Sequence, residues 1–147
     1  MRIATVVLAG VLLAASGTAL GAESAQDAWL QPEGKSDCRI WTRHPVPANV
    51  KSRVTWSGAC KEGLAQGDGT FDMFISDKLD TRYVGAMDKG RIKGKGLLTI
   101  LANGARYEGE WADNLPEGQG KYTTADGQVC EGAWSHGRLQ GCSFWFQ

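Results

Sequence analysis

The chain carries no excess of charge: its 147 residues hold 16 Lys and Arg against 16 Asp and Glu. It has two histidines. It contains no Cys-x-x-Cys or His-x3-His spacing, no Gly-rich phosphate loop and no serine-nucleophile elbow. Zinc, nucleotide and serine-hydrolase chemistry therefore have no local signature. Aliphatic residues are scarce as well. Beyond residue 22, Leu, Ile, Val and Phe make up 21 of 125 residues, about 17%. That excludes a large aliphatic, doubly wound enzyme core, and taken alone it points to disorder. Two features oppose disorder. All 6 Trp, 3 Tyr and 4 Phe fall in this part. Its 15 basic and 16 acidic residues, net −1, lack the self-repulsion that keeps disordered chains open. One folded domain, rich in aromatics and glycine, is expected. A nearly neutral domain also offers no basic footprint, so neither nucleic acid nor an anionic membrane surface is an expected partner.

The first residues differ from the rest. One charge, Arg2, precedes an apolar run from Ile3 to Ala15 broken only by Thr5, and the small-residue stretch Ser16 to Ala22 follows. This is the layout of a secretory signal peptide over residues 1–22, with cleavage after Gly21, Ala19 or Ala22. The rival is an uncleaved anchor, since about 20 residues suffice to span a bilayer. The short apolar core and the small-residue tail favour cleavage. No cysteine stands near the end of the run, which disfavours a lipid-modified chain. The expected location is periplasmic or secreted.

All four cysteines, Cys38, Cys60, Cys130 and Cys142, come after this segment. An even number in an exported chain reads as disulfides, and four cysteines allow three pairings. The expected pairs are Cys38 with Cys60, closing a loop that holds Pro45 and Pro47, and Cys130 with Cys142, lying across one hairpin. Each would contribute roughly 2 to 4 kcal/mol. A zinc site with His44 or His136 is the rival; export and the missing ligand spacing oppose it. No metal and no cofactor are expected.

Self-similarity accounts for most of the remainder. Trp56-Ser57-Gly58-Ala59-Cys60, Tyr83-Val84-Gly85-Ala86-Met87, Tyr107-Glu108-Gly109-Glu110-Trp111 and Cys130-Glu131-Gly132-Ala133-Trp134 align. Their glycines Gly58, Gly85, Gly109 and Gly132 are spaced by 27, 24 and 23 residues. A second column, Gly67, Gly94, Gly118 and Gly141, keeps the same intervals. A third holds Gly69, Gly96, Gly120 and then Ser143, and a bulky column follows with Phe71, Leu98, Tyr122 and Trp145. Large residues alternate around each first glycine, so they share one strand face while Glu108 and Glu110 take the other. The glycine leaves a gap that a neighbouring ring can fill. Asn103-Gly104 and Asp126-Gly127 supply pairs that suit tight turns between copies. The stretch Asp77 to Asp80 is expected to form a bulge or protruding loop.

The expected fold is therefore all-β: a single-layer antiparallel meander of about four tandem hairpins and eight strands, elongated and curved. The expected division is a signal peptide at 1–22, a short irregular capping segment at 23–53 and the repeat sheet at 54–147. Turning the fourth hairpin at His136-Gly137 brings residue 130 opposite 142 or 143, within bridging reach given a bulge.

The third unit, Tyr107 to Trp111 followed by Gly118-Gln119-Gly120-Lys121-Tyr122-Thr123 and Ala125-Asp126-Gly127, resembles the MORN repeat family. That family's units run tyrosine, glutamate, glycine, any residue, tryptophan, a turn, then glycine-x-glycine. The similarity covers about residues 54–146. The stretch from Cys38-Arg39-Ile40-Trp41 to Cys60 is similar to the opening segment of exported bacterial members, in which the two cysteines would pair. The resemblance implies a module for protein interaction or membrane association.

Two functional readings follow. In the preferred one, a non-enzymatic exported scaffold binds an unidentified protein or cell-envelope component. Its ring ladder of Tyr83, Tyr107, Trp111, Tyr122, Trp134 and Trp145 is a candidate contact surface, with inner rings as core and end rings as contacts. In the rival, Glu108 and Glu110, roughly 6 to 7 Å apart on one strand face, act on glycans with Trp111 and Trp134 as sugar platforms. Glu117 and Glu131 would approach from adjacent strands. Because Glu108 and Glu131 occupy the repeat's own glutamate position, a solubilising and pairing role is favoured. A homodimer through the C-terminal edge strand, Ser143 to Gln147, is a further expectation.

Overall fold

A computed structural model describes residues 28–143. The signal-like run 1–22, and the tail from Phe144 with Trp145 and Phe146, lie outside the described residues. The described chain is all-β, with no helix. It begins with two short strands, β1 (Ala28–Leu30) and β2 (Ile40–Thr42), which pair with each other. Next come β3 (Ser52–Trp56), β4 (Ala59–Lys61), β5 (Leu64–Ile75) and β6 (Lys78–Asp88). They are followed by β7 (Arg91–Ile100), β8 (Arg106–Ala112), β9 (Leu115–Thr123) and β10 (Val129–Trp134). Two stubs, β11 (Arg138–Leu139) and β12 (Cys142–Ser143), end it. Strands β3 to β10 form one eight-stranded antiparallel sheet in the order β10-β9-β8-β7-β6-β5-β3, with β4 beside the start of β5. This is the expected meander.

The repeat columns become rows across the strands. Trp56, Phe71, Tyr83, Leu98, Tyr107, Tyr122 and Cys130 stand opposite one another in succession, one residue per strand. Two residues away runs a glycine row of Gly69, Gly85, Gly96, Gly109, Gly120 and Gly132. The rings of the first row lie down over the second. A Cβ at Gly120 would overlap the Tyr107 phenol, one at Gly96 the Tyr83 ring, and one at Gly69 the Trp56 ring. At these three positions glycine is required because a ring already occupies the side-chain space. The second glycine column has another cause. Gly67, Gly94, Gly118 and Gly141 have φ of 78, 85, 80 and 82°, a left-handed conformation costly to any residue with a Cβ.

Turns within the units use two residues of positive φ, Glu62-Gly63, Lys89-Gly90, Asp113-Asn114 and His136-Gly137, matching the twist of tight hairpins. At the links between copies, Gly104 and Gly127 take positive φ but Asn103 and Asp126 do not. Those two act through their side chains: Asn103 accepts the Ala105 N–H at 2.9 Å, and Asp126 accepts the Thr124 hydroxyl. The extra residues of the longest period lengthen a hairpin. Strands β5 and β6 turn at Ser76-Asp77, and the register skips Asp80 as a bulge.

Both ends of the sheet carry a disulfide. Cys38–Cys60 and Cys130–Cys142 are bonded, with Cα separations of 5.6 and 6.3 Å. At the far end the fourth unit departs from the others. Repeating the β8–β9 register would set Cys130 opposite residue 145. Instead the chain reverses after Leu139, and Cys142 pairs with Leu139. Gly141 makes the reversal, and the bridge then holds the stub near β10. Leu139 lies where a Cβ on Gly132 would meet it, taking the place of the missing fourth ring.

At the near end, β1 and β2 give the capping segment a small sheet of its own. It is stitched on by hydrogen bonds from the Arg39 N–H to the Gly63 carbonyl at 3.0 Å, the Trp41 N–H to the Gly90 carbonyl at 2.8 Å and the Glu33 N–H to the Val54 carbonyl at 2.8 Å. We refer to it as the clasp.

Candidate functional site

The ring face is built by one bond pattern used repeatedly. The Trp56 indole N–H donates to the Ala59 carbonyl, the Tyr83 hydroxyl to the Ala86 carbonyl and the Tyr107 hydroxyl to the Glu110 carbonyl, at 2.9, 2.9 and 3.1 Å. Each reaches three residues along its own chain, folding the ring over the intervening glycine. A second pattern ties units together: the indole N–H groups of Trp111 and Trp134 donate to the Gly96 and Gly120 carbonyls at 3.1 and 3.0 Å. The rings meet edge to face, with Tyr107 4.9 Å from Trp111 and 5.4 Å from Trp134, an arrangement favoured by the ring quadrupoles.

Of the six rings expected as a contact surface, Tyr83, Tyr107, Trp111, Tyr122 and Trp134 are 0–6% exposed and form the core. Trp145 lies outside the described residues. Burial pushes the Tyr83 phenol well above its ordinary range, with the Asp68 charge adding to it. Burial likewise pushes Tyr107 up to about 12, assisted by the charges of Glu110 and Glu117.

The opposite face is open and polar. One row across it runs Thr70, Val84, Leu97, Glu108, Lys121 and Glu131. Val84 is 46% exposed, and Glu108, Lys121 and Glu131 are exposed. A parallel row places Arg82 beside Asp72, whose carboxylate accepts two hydrogen bonds from the guanidinium at 2.7 Å. Between β7 and β10 a shallow groove of about 620 Å³ crosses the glycine backbone, edged by Lys95, Leu97, Glu108, Glu110, Lys121 and Glu131.

The carboxylates in this region have different duties. Glu110 accepts the Gln119 N–H at 3.0 Å, holding the bulge at Gly118. Glu117 accepts the His136 N–H at 2.7 Å in the next turn. Glu108 and Glu131 flank Lys121. No group of three or more His, Cys, Asp or Glu side chains among the described residues stands close enough to hold a metal.

A third feature had no signal in the sequence reading. Between the clasp and the ring face lies an apolar cavity of about 290 Å³. Leu30 and Ile40 wall it on one side, and Phe71, Met73, Met87 and Leu98 on the other. Asn114 locks the clasp over it, accepting the Ile92 N–H at 2.6 Å and donating to the Trp41 carbonyl at 3.2 Å. Arg43 and Arg91 lie 5.7 and 4.1 Å from the Trp41 ring centre. The Trp41 indole N–H is buried without a partner among the described residues.

A family model for the MORN repeat matches residues 107–129 and 130–142, the third and fourth units. No curated protein matches the chain. The shared ring-to-carbonyl bonds of Trp56, Tyr83 and Tyr107 show that the first two units have the geometry of the third.

Proposed function

We propose, from the premise that this chain belongs to the MORN repeat family, that it is an exported, non-enzymatic scaffold docking a protein or cell-envelope component. MORN repeats are generally protein- or membrane-interaction modules. The observation that carries the reading here is the division of labour between the two faces. Core rings hold the sheet rigid, while the outer face presents an unbroken row of side chains with alternating charge at Glu108, Lys121 and Glu131. A rigid surface binds with little entropic loss, and ordered charges select register and partner. The rings support the docking surface from behind rather than meeting the partner. Two disulfide-bonded cysteine pairs suit an oxidising compartment, and no helix among the described residues is long and apolar enough to cross a membrane.

The test compares affinity capture from an envelope extract by the wild type and by Glu108→Lys/Glu131→Lys, with the exposed loop variant Asp126→Asn as control. A component retained by the wild type and control but lost by the double variant supports the outer face as the docking surface. Equal retention by all three proteins rules that surface out. Loss of an envelope glycan hydrolase activity in Glu108→Gln/Glu110→Gln, at unchanged stability, would establish the enzymatic rival.

A further inference from the structure

The clasp cavity is separate from the docking face and has the chemistry of a ligand site. An apolar cleft of about 290 Å³, partly open to solvent, lies at the small end of ligand pockets. Its walls are side chains of the core or packed against it, including Ile40, Phe71, Met87 and Leu98. The polar lining is unequal. Asp80, on the sheet side, accepts the Thr81 hydroxyl at 2.8 Å and keeps its negative charge, with no ion pair among the described residues. Arg43 reaches only the Asp113 carbonyl, at a long 3.5 Å, and makes no ion pair among the described residues. Its guanidinium is exposed and held over the Trp41 ring at 5.7 Å, with His44 next to it in the lining. A hydrocarbon interior with an exposed guanidinium on its clasp side, free of any ion pair among the described residues, matches an alkyl chain ending in an anion, since a guanidinium binds carboxylates through paired, charge-assisted hydrogen bonds.

We propose that the cavity binds a single-chain, carboxylate-ended amphiphile, with its alkyl tail between the clasp and Leu98 and its carboxylate at Arg43. The site is completed only by the clasp, which gives the Cys38–Cys60 bridge and Asn114 a role in ligand capture.

Isothermal titration of the purified chain with dodecanoate, dodecanol and dodecyltrimethylammonium, each below its aggregation concentration, tests this. Saturable binding of one dodecanoate per chain is expected, tighter than dodecanol, with the cationic analogue weakest. Arg43→Gln should weaken dodecanoate by about tenfold, to the level of the alcohol, because one charge-assisted contact is lost. Thr81→Phe, which fills the cavity from the sheet, should abolish binding of both. Arg43 is on the exposed rim, so its variant decides the matter even if Thr81→Phe does not fold. Absence of saturable dodecanoate binding, equal affinity for all three amphiphiles, or undiminished binding in Arg43→Gln would each overturn the proposal. None of these outcomes bears on the outer docking face.

Discussion

At the scale of single residues, glycine and tyrosine form one unit of construction. Gly120 has no positive φ; it is glycine because the Tyr107 ring lies in the space of its side chain. Gly120→Ala should therefore cost about 1–3 kcal/mol by overpacking. Gly104→Ala, where a Cβ meets nothing within 4 Å but φ is 79°, should cost about 1 kcal/mol through backbone strain alone. Urea denaturation of both variants checks the order; equal costs would mean that the ring yields. The same burial makes the fold sensitive to alkali. Tyr107 ionises near 12 in the folded protein and near 10 when unfolded. Above pH 10 the unfolded state has lost the phenolic proton while the folded state keeps it, so stability falls as pH rises. For this residue the loss between pH 10 and 12 is at most about 2 kcal/mol. Tyr107→Phe should be about 1 kcal/mol less stable at pH 7, having lost the bond to the Glu110 carbonyl. It should show a shallower decline in alkali, read from thermal midpoints across that range.

At the scale of elements, each hairpin contacts its neighbours, so damage should stay local. The Cys130–Cys142 bridge closes a separation of 12 residues, and replacing both cysteines with serine should cost about 2–3 kcal/mol. Hydrogen exchange should quicken in β10 and the β11 stub while β6 and β7 keep their protection. Uniform acceleration would instead mean that the terminal bridge stabilises the sheet as one cooperative body. Element type and number were legible from the repeat, because alternation around a fixed glycine specifies both strand and face. The fourth hairpin was legible only in part. Its turn at His136-Gly137 and its bridge are where the sequence reading put them, but the reversal at Gly141 depends on where Cys130 holds Cys142. The links between copies were legible as turns, though not in their conformation. A hydrogen bond accepted by the Asn103 side chain from the Ala105 N–H substitutes for the backbone geometry that the Asn-Gly pair suggests.

At the scale of the whole molecule, the proposed export predicts a shortened chain. Mass spectrometry of protein recovered from the envelope fraction should find a new N-terminus after Ala19, Gly21 or Ala22, and an intact Met1 would favour the anchored alternative. The sequence by itself determined the all-β class, the four units, the disulfide partners and the glycine and ring columns. It could do so because those contacts join adjacent strands at a fixed period, and repetition writes the same short-range instruction several times. Tertiary structure alone decided that five rings are core, that the opposite face is the open one, and that the clasp encloses a cavity. The physical reason is the range of the contacts involved. Asn114 meets the Trp41 carbonyl across 73 residues, a single long-range encounter that recurs in no other unit and leaves no periodic trace. Of the ring face, Phe71, Leu98 and Trp111 line the space that the clasp walls, while Tyr107, Tyr122 and Trp134 pack on one another through the repeat itself.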